Sequence, residues 1–172
     1  MQEIKTPAPD REQQFQELVD EYQVPLLRMC YLQLRDKGLA EDAVQETFIK
    51  AYRAWPTYRG ESSVKTWLMR IAINSCRDQQ RSSWWKHINR RVTLDMLPEL
   101  SKDLPEDALA VNLEIARLPG KQRQAVLLYY YANLQIVEIA AALGIAPSTV
   151  SGRLKRAKEK LRAALKGAYF DA

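Results

Sequence analysis

Two cysteines, one histidine and six glycines are few for a chain of 172 residues, and each scarcity excludes something. A zinc site needs close pairs of Cys or His ligands, and Cys30, Cys76 and His87 offer none. Both cysteines stand in apolar helical surroundings and read as buried free thiols of a reducing compartment. His87 reads as a surface residue. No glycine-rich phosphate loop and no nucleophile–base pair is visible. Glu41, Asp42 and Glu46 are closely spaced but lack a histidine or a second carboxylate cluster, so the chain is read as no enzyme. No cofactor and no metal is expected. No apolar run approaches the roughly 20 residues that cross a bilayer, and no signal-peptide pattern opens the chain. A cytoplasmic protein with no direct membrane insertion is the expectation.

What is present is ordinary in amount, 47 % hydrophobic and 27 % charged, but unevenly placed. The net charge is −3 over Met1–Trp55, +6 over Pro56–Arg91, −4 over Val92–Asn112 and +6 over Pro147–Lys166. Two basic blocks flank an acidic one. This pattern suggests two separate contacts with nucleic acid, and between them a segment that repels it.

The second basic block lies in the most legible stretch, Ile136 to Leu165. Ile136, Ile139, Ala140 and Leu143 recur at helical spacing. Gly144 follows where a left-handed stop is expected, because a residue without Cβ turns there at no steric cost. Pro147 and Ser148 open a second helix whose buried stripe is Val150, Leu154, Ala157, Leu161 and Leu165. Its other face carries Ser148, Thr149, Ser151, Gly152, Arg153 and Arg156, small groups able to reach base edges with cations behind them for phosphates. A solvated basic face is the bland alternative. The tight turn and the one-sided charge favour a helix-turn-helix.

Earlier in the chain, Phe15, Leu18, Val19 and Tyr22 begin a helix that Pro25 is expected to break or kink. It continues through Leu26, Met29, Cys30 and Leu34 to a stop expected near Lys37–Gly38. A second helix is expected from about Leu39 to Trp55, with Val44, Phe48, Ala51 and Trp55 in the core. Asp42, Gln45, Glu46, Ile49 and Arg53 lie on its other sides, where an exposed Ile49 hints at a partner surface. Pro56 to Ser63 is a loop by every local signal. Ser62 or Ser63 then caps a third helix, buried through Val64, Trp67 or Leu68, Ile71 and Ser75. Its polar side shows Lys65, Arg70, Asn74, Arg77 and Arg81, with Trp84 and Trp85 beyond. Cations interleaved with aromatics suit an unpaired strand. His87 to about Leu109 reads as a flexible acidic linker. Beyond it Leu113, Ala116 and Leu118, then Gln122 to Ala132, are read as helical.

The expected fold is all-α, with two small helical domains and the helix-turn-helix in the C-terminal one. The expected boundaries are 1–86 and 110–172, with 87–109 between.

The stretches AEDAVQETFIKAYRAWPTYRGESSVKTWLMRIAINSCRD and LPGKQRQAVLLYYYANLQIVEIAAALGIAPSTVSGRLKRAKEKL, in that order, closely resemble the extracytoplasmic-function (ECF) sigma factors of bacteria, in the sigma-70 family. The resemblance runs from Phe15 to Leu165 and rests on two independent blocks. It implies an initiation factor that binds core RNA polymerase and directs it to promoters. The polymerase contact would fall on Asp42, Gln45, Glu46 and Ile49. The minus-ten contact, including capture of a base flipped from the non-template strand, would fall on Tyr58, Arg59, Gly60, Glu61, Ser62, Ser63 and Val64, with Arg70, Asn74 and Arg77 on the helix that follows. The minus-thirty-five element would be read in duplex form by Ser148, Thr149, Ser151, Gly152, Arg153 and Arg156. Ser151 and Gly152 depart from the larger polar or basic groups that many relatives carry there. The resemblance also implies an anti-sigma partner, often membrane-tethered, an acidic linker that enters the polymerase's RNA path, and a chain that is monomeric when free.

The rival reading is a repressor or activator with the same helix-turn-helix that acts without being a polymerase subunit. Such proteins dimerise to meet two half-sites. No dimer seam is visible, and a repressor leaves the basic loop and helix of Arg59 to Arg81 unexplained.

Overall fold

The computed structural model of the chain describes residues 10–81, 95 and 97–169, the last three as backbone only. Trp84, Trp85, Lys86 and His87 lie outside the described residues, as does most of the first half of the acidic stretch. All regular structure among the described residues is helical.

Helix α1 spans Arg11–Leu34 and runs without interruption through Pro25, contrary to the break or kink expected there. Residues 21, 23 and 24 are exposed, so the carbonyl that loses its partner to the proline ring can bond to water instead. The helix ends on Arg35 at φ 56, whose N–H donates to Tyr31 O at 2.7 Å. That stop comes before Lys37–Gly38, because Asp36 already caps the next helix: its Oδ1 accepts from Leu39 N at 2.9 Å. Such a cap contributes about 1 kcal/mol. Helix α2 accordingly spans Lys37–Ala54, starting earlier than the apolar pattern indicated. A single 3₁₀ turn, Trp55–Thr57, leads into the loop. Helix α3, Val64–Arg81, is capped by Ser63, whose Oγ accepts from Thr66 N at 3.1 Å.

Part of the stretch read as linker is also helical. Helix α4, Leu97–Ser101, buries Leu97 and Leu100, and α5 spans Ala108–Arg117. Helix α6, Gly120–Val126, continues as a π-helical segment over Leu127–Tyr131, where Ala132 N donates to Leu127 O five residues back. Asn133, at φ 53, ends that run. Helices α7, Ile136–Leu143, and α8, Pro147–Tyr169, form the helix-turn-helix, joined through Gly144 at φ 66.

The core is one continuous cluster. Leu26, Met29 and Leu32 of α1 are completely buried, each worth roughly 1.5–3 kcal/mol of transfer free energy. α1 packs on α2 and α3 and also touches α4, α5, α6 and the 127–131 segment. The N-terminal and C-terminal helices therefore lie against each other. Two buried arginines cross between them: Arg28, 6 % exposed, donates from Nε to Leu100 O at 2.6 Å. Arg123, 3 % exposed, donates from Nη2 to Gln33 O at 3.1 Å and from Nη1 to Leu118 O at 2.7 Å.

Candidate nucleic-acid interface

Three surfaces hold the residues singled out above. On α2, Asp42, Gln45, Glu46 and Ile49 fall at i, i+3, i+4 and i+7 and therefore share one face. Asp42 and Gln45 are exposed, Glu46 is half-buried, and Ile49 is 52 % exposed. Glu46 is paired with Lys50 at 2.8 Å, and the same ammonium reaches Asp78 of α3 at 3.1 Å. The Glu46 carboxylate holds the Lys50 ammonium above the usual lysine range; burial opposes that shift and Asp78 reinforces it. Exposed pairs of this kind contribute about 0–1 kcal/mol, so this network orients α2 on α3 more than it stabilises the fold.

The second surface is the loop before α3. Gly60, at φ 72, makes a left-handed bend that side chains disfavour. Tyr58 hydroxyl donates to Ser62 O and closes the loop on itself. Beneath lies an aromatic floor: Tyr58 stacks on Trp55 with ring centroids 5.6 Å apart and meets Trp67 at 4.9 Å. Trp67 is thus half-buried core of the loop base. A cavity of about 250 Å³ opens between Thr57, Tyr58, Arg59, Glu61, Ser62, Trp67 and Arg70. Arg59, Gly60, Glu61 and Ser63 are exposed around it, and Ser62 and Val64 are half-buried. From its edge Arg70, Asn74 and Arg77 continue along one side of α3 at i, i+4 and i+7. Asn74 is exposed. Arg70 and Arg77 are half-buried, because Arg70 Nη2 meets Glu138 Oε1 at 2.7 Å and Arg77 Nη1 donates to Ala142 O at 2.9 Å.

The third surface is the start of α8. Val150, Leu154 and Ala157 are buried as the periodicity indicated, with Leu161 and Leu165 half-buried. Ser148, Thr149, Ser151 and Arg156 are exposed, while Gly152 and Arg153 are half-buried. A Cβ at Gly152 would sit 3.6 Å from Arg156 Nη2, an ordinary contact, so nothing within the chain demands glycine there. Further along, Lys158 lies over the rings of Tyr129 and Tyr130 and is engaged by the C-terminal core, so only part of the basic run faces outward. Beside it an apolar groove of about 670 Å³ runs between α5, the 127–131 segment and α8.

Sequence reasoning missed Glu138. Its Oε2 accepts from Gln135 N at 2.8 Å and forms a capping box, while Oε1 holds Arg70. The Gln135-x-x-Glu138 spacing carries the first role, but nothing local carries the second. The thiols of Cys30 and Cys76 are both buried, and Cys76 is pushed up by its hydrogen bond to Cys30 and by burial, which makes it a poor nucleophile. Among the described residues no group of three or more His, Cys, Asp or Glu side chains is arranged to hold a metal. None of the described helices is long and apolar enough to cross a membrane.

A loop over an aromatic floor, a basic helix behind it and a separate helix-turn-helix define a two-part helical DNA-reading protein. Sequence comparison agrees part by part: Sigma-70 region 2 matches residues 18–86, and Sigma-70 region 4 matches residues 108–161. The ECF RNA polymerase sigma factor SigW of Bacillus subtilis is 32 % identical over 166 residues, covering 88 % of this chain and 89 % of that one. The RNA polymerase sigma-H factor of Pseudomonas aeruginosa is 32 % identical over 172 residues, covering 92 % and 89 %. CnrH, solved in complex with the cytosolic domain of CnrY, superposes with a TM-score of 0.56 at 25 % identity over 94 % of this chain and 91 % of that one. RpoE from Bartonella quintana, solved in complex with the anti-sigma factor NepR, has the same fold, with a TM-score of 0.61 at 23 % identity over 92 % and 99 %. The chain belongs to the ECF sigma factors of the sigma-70 family: it is a non-enzymatic subunit that binds core RNA polymerase and directs promoter-specific initiation.

Proposed function

We propose that the three surfaces divide the work of initiation. The α2 face of Asp42, Gln45, Glu46 and Ile49 docks on core polymerase, pairing an exposed aliphatic with acids that complement a basic partner. The loop Tyr58–Val64 captures one base of the non-template strand at the minus-ten element, and Arg70, Asn74 and Arg77 track the strand behind it. Unpairing a base costs a few kcal/mol, and a protein without a motor recovers that only by binding the extruded base. The observation that carries this reading is the cavity over the Trp55–Tyr58–Trp67 floor, bordered by Arg59 and Arg70.

On the duplex upstream, Ser148, Thr149, Ser151, Gly152, Arg153 and Arg156 enter the major groove at the minus-thirty-five element. Each good base contact there discriminates by about 1–3 kcal/mol. The working division of the chain is 1–86 for docking and opening, 87–109 as connector and 110–172 for duplex reading. The factor works in the bacterial cytoplasm, without a cofactor. The pairing of CnrH with the cytosolic domain of CnrY supports a protein inhibitor of the same kind here, an anti-sigma factor tethered to a membrane. The groove beside α8 offers such a partner apolar surface.

Run-off transcription with bacterial core polymerase on a library of genomic fragments tests the reading. Specific transcripts are expected only when chain and core are both present. Tight operator binding by the chain alone, with no core-dependent transcript, would replace it with the repressor reading.

A further inference from the structure

The two DNA-facing regions touch each other. Arg70 and Arg77 stand two turns apart on one side of α3, and their partners, Glu138 and Ala142, stand one turn apart on α7. The first helix of the helix-turn-helix thus lies along the strand-binding side of α3. A phosphate would need the same guanidinium N–H donors that the Glu138 carboxylate and the Ala142 carbonyl hold.

Deeper in the same seam, Arg28 and Arg123 cross in opposite directions to Leu100 O and Gln33 O. Both acceptors lie in the last turn of a helix, where the backbone dipole favours a cation, and neither guanidinium can shed its proton. The seam is therefore bonded at the surface and in the interior.

This arrangement excludes simultaneous use of the two faces. Elements at minus ten and minus thirty-five differ by about 25 base steps, roughly 85 Å at 3.4 Å per step. Helices α3 and α7, by contrast, are within hydrogen-bond distance of each other.

We propose that the free chain locks itself: α7 covers Arg70 and Arg77, the minus-ten side stays closed to single strand, and core polymerase activates the factor by holding the two halves apart. The inference rests on the function proposed above. Glu138 is the latch, capping its own helix with one oxygen and holding Arg70 with the other. The apparent affinity of the free chain for single strand falls by the fraction that is closed.

The test uses the full chain, small-angle scattering and a fluorescent single-stranded 20-mer of mixed sequence. Glu138→Gln removes the charge yet keeps an oxygen for Gln135 N–H, and Glu138→Lys reverses it. Glu17→Gln and Glu17→Lys, on the exposed side of α1, are the charge-matched controls. The wild-type chain should scatter with a radius of gyration of about 16 Å, the value for a compact chain of this length. Glu138→Gln should bind the oligonucleotide about two- to fivefold tighter than its control, the range set by one exposed ion pair, and Glu138→Lys tighter still relative to Glu17→Lys. Both should scatter as larger particles, and the swapped pair Arg70→Glu with Glu138→Arg should restore the wild-type radius.

A wild-type chain that scatters as two separated bodies overturns the lock. So does equal oligonucleotide binding by Glu138→Gln and Glu17→Gln. Core-dependent transcription by the wild-type chain separates the two failures. Its absence removes the proposed function itself, whereas its presence with no Glu138 effect removes only the lock.

Discussion

The two basic faces carry the same net charge in the sequence but meet different surroundings. The side of α3 has an aromatic-floored cavity at one end, and two of its arginines are held by α7. The start of α8 has no such floor and presents small polar groups with Arg156 exposed. Equal charge therefore does not mean equal chemistry. Rings and a pocket suit a splayed base, while a slim helix edge suits an intact groove. A charge count gives the electrostatic footprint, and only the packing gives its availability.

Four substitutions sharpen or break that contrast, from the largest expected effect to the smallest. Glu46→Lys acts upstream of both faces. It should weaken core polymerase binding by about 100-fold or more, because like charges at an interface cost several kcal/mol. Its melting temperature should stay near that of the wild type, since the Lys50 pair is exposed. Co-purification with core measures the first and calorimetry the second; unchanged co-purification would remove α2 from the docking surface. Tyr58→Ala should slow promoter opening by about ten- to a hundredfold, the worth of one base–aromatic stack. Binding of the reconstituted holoenzyme to an upstream duplex fragment should not change. If both fall together, the loop is not specific to the open strand.

Arg156→Ala should reverse that pattern. Duplex binding weakens a few-fold and the slope of log affinity against log salt flattens by about 0.9, the signature of one lost phosphate contact. Gly152→Ala has the smallest expected effect and the sharpest sign. It should stabilise α8 by roughly 0.5–1 kcal/mol in urea unfolding, because the new methyl meets only ordinary contacts. A several-fold loss of duplex affinity alongside that gain would show that the DNA backbone approaches this position closely.

Much of the fold was legible in the sequence for identifiable reasons. Gly144 marks its own left-handed turn, and Val150, Leu154 and Ala157 keep a helical period through to burial. Ser63 announced the start of α3. Two boundaries were not legible. Arg35 takes a left-handed conformation that its residue type rarely adopts, so the α1 stop was misplaced towards Gly38. Pro25 ordinarily interrupts a helix, and here α1 continues because packing further along holds it. The residues of the candidate interface were legible as a set, since helix faces follow from spacing alone. Their accessibility was not. Arg28, Arg70, Arg77 and Arg123 all read as polar surface, and each is held by a group from a distant part of the chain. No window of local sequence contains that information.

The division of labour between the two faces is tested most directly by permanganate probing of a promoter recovered by run-off transcription. With core polymerase and the wild-type chain, thymines of the minus-ten element should become reactive while the minus-thirty-five element stays paired; with either protein alone both should stay protected. Reactive thymines at the upstream element, or a transcribing complex with no unpaired base near the Tyr58 loop, would contradict it.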